Sequence, residues 1–251
     1  MKGLRRPRTS FLTLNILFGI TAMTGTFGST LALAAPPQPV VCVSNTGASA
    51  SGYGALACGA NDTANGTYST AVGAGNNANG SQATAVGAYN SAQGNNASAV
   101  GARNVTGGIA AGAESPMSND SAFGYDNTAT GSNFGGATAI GALNTANGDS
   151  STAVGLGNTA SGSSSSAIGH SNSASGNYST ASGYKNTASG PSSSAVGTLN
   201  NAFGSQSTAV GSGNYAQGNG TSAVGSQNRA GGTIPGGEDG IHFCGTKAFT
   251  R

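Results

Sequence analysis

Residues 150–163 read "SSTAVGLGNTASGS". The stretch holds no charge, no aromatic ring and no histidine, and Val154 and Leu156 are its only sizeable apolar groups. Near-copies of it fill most of the chain. Anchored on the glycine of Ala-Val-Gly, the copies fall at Gly59, Gly73, Gly87 and Gly101. They resume at Gly141, Gly155, Gly169, Gly183, Gly197, Gly211 and Gly225, and within each run the spacing never changes. A second glycine falls halfway, as at Gly148, Gly162 and Gly176. The unit is therefore two half-turns of seven, Ser/Thr-Ala-Val-Gly and then Asn-x-Ala-x-Gly.

Self-similarity at a fixed period marks a repeat architecture. A glycine in every half-turn suits tight turns that need positive φ. The short stretches between turns fit a strand and are too brief for a helix. Collagen is excluded because its glycine period is three. The expected fold is all-β, a parallel β-solenoid with two short strands per coil. Each residue then stacks on its counterpart about 4.8 Å away. Stacking accounts for the scarcity of charge, since a repeated Lys or Asp would set like charges against each other. Only 6% of the residues are charged, against about 25% in a soluble domain. A disordered low-complexity chain tends to be highly charged and aperiodic, and this one is neither.

Neutral side chains can stack instead. Asparagine recurs at Asn76, Asn90, Asn104, Asn127, Asn144, Asn158, Asn172, Asn186, Asn200, Asn214 and Asn228, and stacked amides can hydrogen-bond along such a column. A Ser/Thr ladder runs through Thr70, Thr84, Ser98, Thr138, Thr152, Ser166, Thr180, Ser194, Thr208 and Ser222. The core is assigned to Val72, Val86, Val100, Ile140, Val154, Ile168, Val196, Val210 and Val224. One such residue per coil buries little apolar area against the entropy of ordering a whole coil. Small outward Ala side chains would let another chain approach closely, so oligomerisation is expected.

Residues 1–34 differ from the rest. Lys2, Arg5, Arg6 and Arg8 form a basic start, a mostly apolar run extends from Phe11 to Phe27, and Ala32-Leu33-Ala34 gives the small-x-small pattern of a signal peptidase site. This stretch reads as a secretory signal. Asn15 and the threonines and glycines of the apolar run argue against a membrane helix. Residues 35–44 are a linker to the first coil, 45–232 the repeats, and 233–251 a non-repetitive tail. After the signal, five basic residues face seven acidic ones, leaving no basic patch for nucleic acid.

The repeat Ser-x-Ala-Val/Ile-Gly-x-x-Asn-x-Ala-x-Gly resembles the head repeat of trimeric autotransporter adhesins, the YadA-like heads. "STAVGAGNNANGSQATAVGAYNSAQG" (69–94) and "STAVGLGNTASGSSSSAIGHSNSASG" (151–176) carry the resemblance best, and it covers about residues 45 to 232. It implies a left-handed parallel β-roll, three chains forming one homotrimeric head, display on the bacterial surface or outer membrane, and adhesion to a host or matrix protein or glycan. Collagen-binding heads of this family carry Asn-Ser-Val-Ala-Ile-Gly-x-x-Ser. Here Thr152 and Ser166 stand where the Val before Ala would be, and Asn follows where Ser would be, which weighs against collagen. Residues 233–251 do not read as the family's neck, heptad stalk or four-strand anchor. The expectation is a head that does not insert itself into the membrane by the family's route: a gene fragment, a secreted head, or one held by another protein.

The phase breaks between Gly101 and Gly141, whose separation falls just short of three whole coils. Residues 105–123, with Glu114, Pro116, Met117 and Asp120, and an insertion at 132–137 make up the irregular region 105–137. Insertions in solenoids leave as loops on one face; the alternative is a degenerate coil, with Phe123 and Phe134 capping the disturbed core.

Little else carries chemistry. His170 follows a turn glycine and is expected to be solvent-exposed. His242 and Cys244 are two candidate ligands where a zinc site takes four, and Glu238 and Asp239 read as a solvated turn. No serine lies in a His/Asp motif and no phosphate loop is present, so no catalytic, cofactor or metal residue is assigned. Cys58 takes the Val position of its repeat, where it is either a buried thiol or paired. Cys42 lies one coil earlier, so a Cys42–Cys58 bridge is within reach in an oxidising compartment. Cys244 is about twelve coils away, on the order of 55–60 Å, and is expected to be free or paired between chains. The reading is an exported, non-enzymatic adhesin-like head acting through multivalent contacts. A structural or surface-layer solenoid without a specific ligand and an ice-binding solenoid are the alternatives.

Overall fold

The computed structural model describes residues 37–42, 47–107, 118–131 and 135–231. The proposed signal, the tail, Phe134, His242 and Cys244 lie outside them. The described residues contain no helix; they form two 13-stranded sheets, each wholly parallel, with strands alternating between the sheets along the chain. A typical coil has a five-residue strand, Thr152–Leu156, in one sheet and a two-residue strand, Thr159–Ala160, in the other. The register follows the sequence phase: Thr152 lies beside Ser166, Ala153 beside Ala167 and Val154 beside Ile168. Like residues therefore form straight columns.

Side chains alternate across a strand, which sends Ala153 inward and Thr152 and Val154 outward. The interior of a coil is Ser151, Ala153, Asn158, Ala160 and Gly162, all buried. The apolar core is built from alanine columns alone. This corrects the assignment of the core to the β-branched column. Val72, Val86, Val100, Val154 and Val210 are half-buried, and Ile140, Ile168, Val196 and Val224 are exposed on the outer face of the long-strand sheet. Ile168 is 43% exposed where its neighbour Ala167 is 0% exposed. The physical reason is width: the two sheets lie so close that only small side chains, Ala, Ser and Asn with an occasional Thr or Asp, fit between them. Phe123, which continues the same outer column, caps nothing inside.

The two glycines of the repeat do different work from that expected. Gly155 lies inside the long strand with φ +120°, and Gly162 has no positive φ. At Gly162 a Cβ would collide with the carbonyl of Gly176 in the next coil, so close stacking demands the glycine. Positive φ in the turns is taken instead by residues such as Leu143, Ser164 and Lys185, at 58°, 53° and 53°.

The phase break is two coils with insertions. Asn104 and Asn127 occupy adjacent rungs 23 residues apart, and Asn127 and Asn144 stand 17 apart, against 14 elsewhere. The extra residues coincide with 108–117 and 132–134, outside the described residues. The coils on both sides keep register. At the other end Cys42 and Cys58 form a disulfide, with Cα atoms 4.7 Å apart, continuing the pairing of Val40 with Leu56 and Val41 with Ala57.

Candidate binding surfaces

The asparagine column is internal, so it shapes the surfaces without forming one. Asn158 shows a complete rung. Its Nδ2 donates to Asn144 Oδ1 at 3.0 Å, to the Val154 carbonyl at 2.9 Å and to the Gly169 carbonyl at 2.7 Å. Its Oδ1 accepts from the backbone N–H and the Nδ2 of Asn172, both at 3.0 Å. Both amide ends are thus satisfied, as a buried amide requires. The same amide-to-amide bonds join Asn76, Asn90, Asn104, Asn127, Asn144, Asn172, Asn186, Asn200 and Asn214. Asn228, the last rung, donates to the Val224 carbonyl at 2.7 Å. Every amide-to-amide bond is donated toward the N-terminal rung, so the first rung has only to accept from the second. Asp62 occupies it: its Oδ1 accepts from Asn76 N and Nδ2 at 2.8 and 3.0 Å, while its Oδ2 is buried without a partner.

A second buried carboxylate lies beside the insertions. Asp120 takes the inward place that Ser151 and Ser165 hold in regular coils, and its Oδ1 accepts the Ala137 N–H at 2.8 Å. Burial pushes its carboxyl up to about 6; the N–H groups of Ala137, Gly131 and Gly107 oppose the rise, and Asp149 adds to it.

Function must then reside on the outer columns. The long-strand sheet presents three: the Ser/Thr column of Thr152, the Val/Ile column of Val154, and the variable column of Leu156. The last contains Tyr125, Leu156, His170 and Tyr184, all exposed. His170 ends a strand rather than sitting in a turn; its ring packs against Tyr184 at 5.2 Å, and Lys185 Nζ lies 5.1 Å from the centre of the Tyr184 ring. The short-strand sheet presents mostly Ser, Thr and Asn until its last coils, where Phe203, Tyr215, Gln217 and Arg229 replace them. The signal for these clusters was present in the sequence as in-phase departures from the consensus. Among the described residues no group of three or more His, Cys, Asp or Glu side chains could hold a metal ion. No described helix is long and apolar enough to cross a membrane.

The family described as the YadA head domain repeat, in two copies, matches residues 50–76, 64–90, 78–104, 135–158, 160–186 and 188–214. The matches skip the insertions and follow the regular coils. No curated protein matches the chain.

Proposed function

The chain belongs to the YadA head domain repeat family, and on that premise we propose that it is the exported head of a trimeric bacterial adhesin. It is displayed at the cell surface and attaches the cell to a host, matrix or other surface protein or glycan. It acts by binding alone, with no cofactor and no turnover. The observation that carries this reading is the outward apolar column from Val72 to Val224, interrupted only at Ser182. Such a stripe along one sheet is costly to leave in water, and two neighbouring copies of the roll would cover it. Three rolls joined through these columns keep their remaining faces free, and weak contacts repeated along each roll add up through effective concentration.

Light scattering on the purified protein should give three times the chain mass. Beads coated with the trimer should adhere to surfaces carrying matrix proteins or glycans. A stable monomer at micromolar concentration, or beads that adhere to nothing, would reject the proposal.

A further inference from the structure

From Thr145 onward the outer face of the short-strand sheet is monotonous except at one place. At the Thr159 position successive coils carry Thr145, Thr159, Ser173, Thr187 and Asn201, then Tyr215 and Arg229. At the Ser161 position, Ser175 and Ser189 give way to Phe203 and Gln217. The two departures coincide in space. The Phe203 and Tyr215 rings lie 5.1 Å apart, tilted by 56°. The Arg229 guanidinium carbon sits 5.1 Å from the Tyr215 ring centre, and Arg229 Nη2 donates to Gln217 Oε1 at 3.3 Å. Phe203, Gln217 and Arg229 are exposed. Charge along the roll is segregated as well. Residues 37–149 hold Asp62, Glu114, Asp120, Asp126 and Asp149 against Arg103 alone. Residues 150–231 hold Lys185 and Arg229 and no carboxylate.

We propose that Phe203, Tyr215, Gln217 and Arg229 form a binding site for an acidic saccharide, a carboxylated or sulfated sugar of a surface glycan. The proposal rests on the reading of the chain as an attachment head and names the ligand class of one site on it. A pyranose ring presents a flat face of C–H groups that stacks on an aromatic ring. The guanidinium, held by Tyr215 and Gln217, keeps further N–H donors for a carboxylate or sulfate. The Gln217 amide offers N–H donors to a sugar hydroxyl. No carboxylate in the surrounding coils repels the anion. Four side chains on a flat sheet fall short of the roughly 800 Å² per partner that a stable protein interface uses, which favours a small ligand over a protein. The site lies on the opposite sheet from the Val154 column, so three copies stay open when that column is covered.

The test titrates the purified protein with a heparin-derived tetrasaccharide and with maltotetraose, its neutral counterpart. The charged probe should bind, more weakly as salt rises, and the neutral one should not. Tyr215→Thr and Arg229→Thr install the residue that Thr159 and Thr187 already place in this column, so the coil is kept, as an unchanged thermal melt would verify. Each should weaken binding by about tenfold or more. Lys185→Ser, which removes the other cation of this half and matches Ser171, should leave binding unchanged. Equal binding of both probes, unaltered binding by Tyr215→Thr, or an equal loss with Lys185→Ser would overturn the site. A wild-type head that adheres to coated surfaces but ignores the tetrasaccharide overturns the site and leaves the attachment reading standing. A head that adheres to nothing overturns both.

Discussion

Removing one rung from the amide column tests whether the column or the alanine core holds the roll together. Asn158→Ala removes the two N–H groups of Nδ2, which are shared among three acceptors, and the Oδ1 that accepts two N–H groups. A hydrogen bond contributes a net 0.5–1.5 kcal/mol, roughly, so the loss of four is about 2–6 kcal/mol. The upper part of that range applies here, because the N–H of buried Asn172 is left without this partner. The loss is comparable with the whole stability of many domains, about 5–15 kcal/mol. In a solenoid each coil contacts only its neighbours, so the damage should cut the array in two at this coil. Thermal unfolding followed by circular dichroism should show a lowered and broadened transition. Asn201→Thr, an outward asparagine of the short-strand sheet, should shift stability by no more than about 0.5 kcal/mol. Equal shifts from the two changes would refute the reasoning and make the ladder incidental to stability.

Val154→Asp places a carboxylate in the outward column while leaving Ala153 and Asn158 untouched. Light scattering should show a monomer that keeps its β-sheet circular dichroism, and loss of that signal would return Val154 to the core. Asp62→Asn should raise the melting temperature by a few degrees, about 1 kcal/mol in stability. It replaces an unpartnered buried oxygen with the N–H donor that every other rung carries, and a lowered melting temperature would contradict this. For Asp120 the folded value of about 6 lies above the ordinary 3.8, so the fold favours the neutral acid. The stabilisation is fully present below about pH 4 and is lost as pH rises through 6, amounting after solvent screening to about 1–2 kcal/mol. Melts across that acid-to-neutral range should show the decline, and Asp120→Asn should flatten it; an undiminished slope in the variant would assign it elsewhere.

The period, the parallel stacking and the partners in each column were legible because a fixed repeat settles all three at once. What the repeat does not fix is which alternate residue points inward. Hydrophobicity places Val154 inside and Ala153 outside, and the structure reverses them. The deciding quantity is the gap between the sheets, whose buried interior holds only small side chains, while glycines such as Gly162 serve the stacking of coil on coil. Once the gap is that narrow, size outranks hydrophobicity, and the larger apolar residue must leave. The same exclusion explains why asparagine is buried at the turn: its amide is small enough to enter and satisfies every carbonyl and N–H it meets there. The irregular region 105–137 was legible, but its division into two lengthened coils was not. Coils of 23 and 17 residues together come close enough to three regular ones to imitate a small deletion. Only Asn127, which falls in register with the ladder on both sides, divides that span correctly. The candidate saccharide site stayed unread because a search for the consensus sets aside the residues that depart from it. In a roll whose interior admits almost no variation, departures on the outer columns are where one head can differ from another.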